Sequence, residues 1–209
     1  RSKVMMDSNL RKFEIIIVLI SVAFFPLLSI MLGDAIIALL LDRAGMLKMM
    51  LGERILFAGT SLLLWWILEK GKLINIRVKQ FISYKQVGLY ILQITLITIF
   101  VFLYTTDYNS IIYILFFILV NFIIAWEEEF VYRLLVPEII KKLCSNFFII
   151  CLIQSLIFSY LGHMDGIILE NLIYRVPISI VLYGIRSKTD SIFLPTTIHA
   201  LWNIMLDFI

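Results

Sequence analysis

Three consecutive carboxylates and an arginine follow a long uncharged stretch of the chain. Glu127, Glu128 and Glu129 come directly after the uncharged residues 108–126, and Arg133 lies four residues after Glu129. On a helix, Glu129 and Arg133 would form an i,i+4 pair in the favourable acid-first order. Glu128 would point about 100° away from Glu129. We therefore expect Glu129 and Arg133 to neutralise each other and Glu128 to be available for acid–base chemistry.

The only two histidines, His163 and His199, lie in or beside apolar segments. A histidine in such a segment is often a hydrogen-bonded packing residue, and the three glutamates could simply mark the solvated end of a helix. Two such histidines beside an unpaired glutamate are harder to explain in that way. His199 and Asn203 share a helix face at i,i+4 spacing, so they can present two hydrogen-bond donors to one point.

The composition predicts a membrane protein. Of the 209 residues, 62% are hydrophobic and 16% are charged, whereas soluble domains average about 45–50% apolar residues. A transmembrane helix needs about 20 apolar residues. We therefore predict an all-α, polytopic transmembrane helix bundle of about seven spans, from the apolar runs 15–33, 55–68, 86–106, 108–126, 143–162, 176–185 and 191–206. The sequence also allows an eighth, formed by residues 35–41 and 46–51 as a short re-entrant or interfacial helix.

Basic residues are concentrated in four segments, which the positive-inside rule assigns to the cytoplasm. They are Arg11 and Lys12; residues 70–85; Lys141 and Lys142; and Arg186 and Lys188. The turn at 105–110 has none and is expected to be external. Residues 42–54 are the exception, because they carry three cations, Arg54 among them, yet seven spans place them outside. We expect a multi-pass protein of a bacterial cytoplasmic membrane, and its net charge of +3 is too diffuse to predict a nucleic-acid surface.

The chain is expected to form one domain over residues 1–209, because it has no linker, low-complexity tract or evident repeat. Residues 1–4 precede Met5 and are expected to be a cloning remnant, and the first apolar run is expected to be a retained span. Cys144 and Cys151 are seven residues apart in one apolar segment, so we expect packing residues rather than a disulfide or a metal site. The oligomeric state is left open.

Three motifs in the carboxy-terminal half resemble those of the CPBP intramembrane proteases, a family that includes the type 2 CAAX prenyl proteases and bacterial enzymes linked to bacteriocins. The family pattern is Glu-Glu-x-x-x-Arg, then Phe-x-x-x-His, then His-x-x-x-Asn on separate helices. The first and third motifs are complete here, at 128–133 and 199–203. In the middle motif, Phe158 precedes His163 by five residues rather than four. The resemblance covers about residues 120–209, the expected motif-bearing core.

The resemblance implies an intramembrane endopeptidase that hydrolyses a peptide bond of a membrane-associated peptide or protein. Glu128 would act as the general base on a water molecule. His163 would orient and polarise that water, and His199 with Asn203 would stabilise the oxyanion. The family acts on prenylated carboxy-terminal peptides, bacteriocin or pheromone precursors and membrane-anchored regulators, and the small chain favours a bacterial enzyme acting on a peptide.

Three alternatives stand beside this prediction. In a zinc-dependent version, His163, His199 and Glu128 would bind the metal together with water. We expect catalysis without a cofactor instead, because the sequence has no His-Glu-x-x-His motif. The fold could also serve a non-catalytic membrane partner, such as an immunity or regulatory protein. A transporter is less consistent with the chain, since no inverted repeat is evident.

Overall fold

The structure is a computed structural model that describes residues 2–40, 46–76, 87–104, 111–163 and 167–206. These residues form helices and turns with no strand, which confirms the all-α fold. The seven helices are α1 (Ser2–Leu40), α2 (Met46–Lys70), α3 (Val87–Tyr104), α4 (Ile111–Glu129, π-helical Phe130–Leu135, Val136–Ile140), α5 (Phe147–Leu161), α6 (Ile168–Glu170, π-helical Asn171–Arg175, Val176–Thr189) and α7 (Phe193–Leu206).

Each of the seven apolar runs falls on a separate helix. Among the described residues, two helical stretches are long and apolar enough to cross a membrane, Arg11–Gly33 in α1 and Ile168–Thr189 in α6. Large apolar side chains are exposed along the helices, including Met31, Phe148 and Ile168, each more than two-thirds exposed. Such a surface suits contact with lipid. The seven-span bundle and its orientation stay predictions.

The separate short helix allowed at 35–51 is wrong for the residues that the structure describes. Residues 35–40 continue α1, and residues 46–51 begin α2. A helix of 39 residues is about 58 Å long, roughly twice the hydrocarbon thickness of a bilayer. Residues 35–40 therefore extend the first helix beyond its membrane-length stretch Arg11–Gly33. The two helices pack closely, because a Cβ added at Gly33 would lie 2.9 Å from the Cα of Glu53. The intervening residues 41–45 lie outside the described part.

Both π-helical segments end two residues before a proline. Phe130–Leu135 precedes Pro137, and Asn171–Arg175 precedes Pro177. Proline lacks an N–H, and its ring crowds the carbonyl four residues earlier, so the regular α-helical bonding cannot continue through it. The chain instead widens by one residue, and the N–H of Val136 donates to the carbonyl of Val131. Such π-bulges are frequent at functional sites.

The widened part of α4 is the centre of the core. Every residue from Phe130 to Leu135 is buried, and this segment contacts α1, α2, α5 and α6. The earlier part of α4 packs against α7, where Ile114 and Ile204 share a small apolar cluster. Residues 127–133 therefore lie in the part of α4 that contacts most of the other helices.

Capping residues fix the start of α5, the end of α6 and the start of α7. The side chain of Asn146 accepts hydrogen bonds from the N–H groups of Phe148 and Ile149, at 2.9 and 3.2 Å, and so begins α5. Asp190 ends α6 with a left-handed backbone (φ 53°), a conformation that aspartate tolerates better than most residues. Three residues later α7 begins, with the N–H of Phe193 donating to the side-chain hydroxyl of Ser191. This tight turn holds α7 close to α6.

Candidate active site

His199 lies between two carboxylates of α4. Its Nδ1 is 2.9 Å from Oε1 of Glu129, and its Nε2 is 3.6 Å from Oε2 of Glu128. The first distance is a hydrogen bond, and the second is slightly too long for one. If the ring is neutral and Glu129 is ionised, Nδ1 carries the proton and donates a hydrogen bond to Glu129. The lone pair of Nε2 then faces Glu128.

The three glutamates differ in exposure. The side chains of Glu127 and Glu129 are completely buried, whereas that of Glu128 is 13% exposed. Only Glu128 therefore combines partial access to the outside with a short distance to a histidine. This is the carboxylate that the helical angles left unpaired. Glu127 contacts Arg54 of α2, whereas Glu128 and Glu129 both lie close to His199 of α7.

Arg133 is fully buried beside Glu129. Its Nε lies 3.3 Å from Oε2 of Glu129, but the contact does not have hydrogen-bond geometry. Among the described residues, the three guanidinium nitrogens of Arg133 have no hydrogen-bond partner. The guanidinium carbon instead lies 3.8 Å from the centre of the Phe158 ring. We take the proximity as an electrostatic contact of two charges, supported by a cation–π contact, rather than as a bidentate pair.

Phe158 connects the three motifs. Besides Arg133, its ring contacts His163 edge to face, with 5.0 Å between centres, and His199, with 6.1 Å between centres. The ring of Tyr132 packs against its remaining side at 5.3 Å. The five-residue spacing to His163 thus does not displace Phe158 from the site, because α5 ends at Leu161 and a turn carries the additional residue.

Gly162 makes this turn compact. Its N–H donates to the carbonyl of Phe158 at 3.0 Å, and an added Cβ would lie only 2.6 Å from that carbonyl oxygen. The next residue, His163, is half-buried, and its carbonyl accepts a hydrogen bond from the side chain of Asn171 on α6. Asn171 in turn accepts from Arg175. The backbone at His163 is therefore fixed from two sides.

Asn203 lies one helical turn after His199 on α7 and is half-buried. The structure brings Glu128, Glu129 and His199 into direct proximity, and it brings His163 to the same aromatic ring as His199. Asn203 shares the helix of His199. Thr197, on the same helix, donates to the side chain of Gln93, which ties α7 to α3.

Arg54 is a site neighbour that the sequence reasoning missed. Its Nη1 donates to Oε1 of Glu127 at 2.8 Å, although 73 residues separate the two. Arg54 is one of the cations of residues 42–54, the segment that seven spans would place outside. The structure shows it on α2 as the partner of a completely buried carboxylate, so the reading of Glu127 as a solvated helix-end residue is wrong. The sequence does contain a signal for this pairing. Arg54 is a cation beside an apolar run and on the side that the positive-inside rule leaves without cations, so a buried carboxylate partner explains its position.

Comparison with known families adds an independent finding. Residues 109–205 match the family model described as Rce1-like, type II CAAX prenyl endopeptidase. The motif-bearing region is therefore similar to the CPBP and CAAX proteases over slightly less than half of the chain. This match confirms the resemblance predicted from the three motifs, and the proteins of that family are membrane-embedded proteases. No curated protein and no solved structure gives a significant match to the chain.

The zinc-dependent alternative needs three protein ligands around one metal ion. Its three ligands would be His163, His199 and Glu128, but the described residues contain no group of three or more His, Cys, Asp or Glu side chains placed to bind one metal ion. His199 and Glu128 lie close together, whereas His163 does not join them in such a group. The described residues therefore do not bring these three ligands together, and we derive no step through a metal. Catalysis without a cofactor stays a prediction.

Proposed function

We propose that this chain is an intramembrane endopeptidase in which Glu128 activates the attacking water. The observation that carries the proposal is the position of Glu128. It is the only one of the three glutamates with an exposed fraction, and its carboxylate lies 3.6 Å from the ring nitrogen of a histidine held by Glu129. A general base must reach the proton that it removes, and a partly exposed carboxylate beside an oriented histidine can reach a water molecule entering from outside.

In the first step, Glu128 would take a proton from water as the water oxygen attacks the scissile carbonyl carbon. The resulting tetrahedral intermediate carries an oxyanion, which preorganised donors can stabilise. Glu128 would then return the proton to the amide nitrogen as the C–N bond breaks. No covalent intermediate with the enzyme is needed. His163, at the other edge of Phe158, would orient the water.

The role that we propose for His199 depends on its protonation. With Nδ1 donating to Glu129, the neutral ring has only an acceptor at Nε2. It can donate to an oxyanion only when Nε2 also carries a proton, and a doubly protonated ring would find a carboxylate near each nitrogen. We therefore propose that His199 enters the reaction with a proton on each ring nitrogen and keeps both, so that its Nε2–H and the side-chain amide of Asn203 donate to the oxyanion while Glu128 alone carries the proton of the water to the leaving nitrogen.

The proposed substrate is a membrane-associated peptide or a membrane-anchored protein. An apolar cavity of about 240 Å³ lies between α6 and α7 and reaches His199. Pro177, Val181, Ile198 and Trp202 contribute to its wall. An apolar residue next to the scissile bond would fit there, which suits peptides drawn from a bilayer. We further propose a multi-pass arrangement in a bacterial cytoplasmic membrane.

The test is cleavage of a peptide library by the detergent-purified chain, with the Glu128→Gln variant beside it. Glu69→Gln is a matched control, because Glu69 is an exposed carboxylate near the end of α2. We expect defined cleavage products with the unaltered chain and the control, and none with Glu128→Gln. Cleavage that Glu128→Gln retains in full would remove the proposed base. Binding of a membrane protein without any cleavage would favour the non-catalytic alternative.

A further inference from the structure

A second cavity, of about 720 Å³, lies at the ends of three helices and away from the glutamates. It is formed where the apolar stretch of α1 begins and just after α2 and α4 end. Four cations and one carboxylate contribute to its rim: Arg11, Lys12, Lys72, Lys142 and Glu14. By the positive-inside rule, these helix ends are the cytoplasmic ones.

The positive charge of this rim is compensated only in part within the described structure, because four cations share the rim with one carboxylate. Among the residues described, none of the four cations forms an ion pair with a carboxylate, and Glu14 is the only acidic residue lining the cavity. The nearby cations Lys141 and Arg186 behave differently, because both contact Glu138, at 2.6 and 3.1 Å. The cavity is therefore a place where an external anion can supply the missing negative charge.

The depth of the cations matches the headgroup region of a bilayer. Arg11 is the first residue of the apolar stretch Arg11–Gly33. Lys72 and Lys142 each lie two residues beyond the end of a helix, α2 and α4 respectively. All three therefore lie at the level where helices leave the hydrocarbon, which is where lipid phosphates are found.

The floor of the cavity is apolar. Ile15 and Val18 follow Arg11 at i+4 and i+7, so they continue the same face of α1 deeper into the membrane. Ile139 of α4 completes this floor. A soluble anion would contact the cations and leave the apolar floor in water. A phospholipid matches both parts, with its phosphate at the rim and its acyl chains along the floor.

We propose that this cavity binds the headgroup of an anionic phospholipid, with Lys72 and Lys142 contacting its phosphate. The site is separate from the proposed peptidase chemistry and does not depend on it. Basic pockets between the cytoplasmic ends of transmembrane helices are suited to such headgroups.

The test is a lipid titration of the detergent-purified full chain, followed by native mass spectrometry. Dioleoyl phosphatidylglycerol is compared with dioleoyl phosphatidylcholine for the unaltered chain and for the double variant Lys72→Gln, Lys142→Gln. Lys70→Gln with Lys188→Gln is the matched control, since both lysines are exposed and neither lines the cavity. We expect the double variant to bind phosphatidylglycerol roughly 30-fold more weakly, with the control and the phosphatidylcholine affinity unchanged.

Thermal melting of each variant in detergent verifies that it is folded. Equal phosphatidylglycerol affinity in the double variant and in the control would overturn the proposal. Inorganic phosphate that displaces the lipid at equal concentration would show a site for free anions instead. A polyglutamate peptide that binds more tightly than phosphatidylglycerol, and loses that binding in the double variant, would assign the cavity to an acidic protein partner.

Discussion

Nδ1 of His199 lies 2.9 Å from Oε1 of Glu129, although 70 residues separate the two. The other oxygen of Glu129 lies 3.3 Å from Nε of Arg133. One buried carboxylate therefore connects the motif on α4 with the motif on α7, and it determines which nitrogen of His199 faces Glu128. In the sequence, Glu129 could be assigned only to Arg133, because the contact with α7 depends on packing.

The first prediction concerns Glu128. Replacing it with glutamine keeps the size of the side chain but removes the base, so we expect peptide cleavage to fall by roughly 10²–10⁴-fold. The melting temperature in detergent should stay close to that of the unaltered chain, because Glu128 forms no hydrogen bond of normal length with His199. Single-turnover cleavage and a melting curve on the same preparation measure both. Full activity in Glu128→Gln contradicts the assignment.

The second prediction concerns Glu129 and Arg133, whose side chains are both completely buried. Replacing Arg133 with methionine leaves a buried carboxylate without its cation, and such a loss costs roughly 3–5 kcal/mol of unfolding free energy. Glu129→Gln should be similarly destabilising and should also lower activity, because it changes the partner of His199. Denaturant titration of reconstituted protein measures the free energy.

A double variant measures the interaction energy between Glu129 and Arg133 separately from the effect of each side chain. With Glu129→Gln and Arg133→Met together, no unpaired charge is left, so the loss of stability should be smaller than the sum of the two single losses. Lys188→Met, at an exposed position on α6, is the control for removal of a cation. Strictly additive losses would show that the two charges act independently.

The helices could be predicted from the sequence because lipid requires long apolar segments, and all seven apolar runs lie on separate helices. The local proximity of Glu129 and Arg133 also follows from spacing, since both lie on one helix. Angles of 100° per residue do not describe Phe130–Leu135, which is π-helical. The signal for that widening is Pro137, whose ring prevents regular bonding in the preceding turn.

Contacts between distant helices could not be derived in the same way. The ring of Phe158 contacts Arg133, His163 and His199, and these residues come from three different parts of the chain. In the sequence, Phe158 precedes His163 by five residues rather than the four of the family pattern, which is an objection to placing its ring in the site. The turn at Gly162 removes that objection, but its shape depends on tertiary packing and cannot be calculated from helical periodicity.

The third prediction concerns Arg54 and Glu127, which form a 2.8 Å hydrogen-bonded ion pair between α2 and α4. Replacing Arg54 with glutamine leaves the completely buried Glu127 without its cation, so we expect a loss of roughly 2–3 kcal/mol. Adding Glu127→Gln should restore part of that stability, because two neutral amides can hydrogen-bond with each other. If Arg54→Gln unfolds at the same denaturant concentration as the unaltered chain, the pair is not a stabilising contact.

The fourth prediction concerns Gly162. A Cβ there would lie 2.6 Å from the carbonyl oxygen of Phe158, so Gly162→Ala must shift the backbone that carries His163. We expect at least a tenfold loss of cleavage rate, because a displaced catalytic group commonly costs that much or more. Gly184→Ala is the matched control, since an added Cβ at Gly184 meets no atom within 4 Å. Equal rates for the two variants would show that the geometry of this turn does not affect catalysis.

The last prediction concerns metal, and it follows from the number of side chains that the chain can use as ligands. With His163 and His199 as its only histidines, a zinc site would need Glu128 as its third protein ligand, which removes that carboxylate as a free base. Glu129 is held by His199 and Arg133, and Glu127 by Arg54, so neither of them can replace it. We therefore expect the purified chain to retain its activity in excess chelator and to contain no stoichiometric zinc. Elemental analysis and a chelator titration on one preparation test this, with Glu128→Gln defining the background rate. Activity that is lost in chelator and restored by added zinc, together with about one zinc ion per chain, would replace the free base with a metal-bound Glu128.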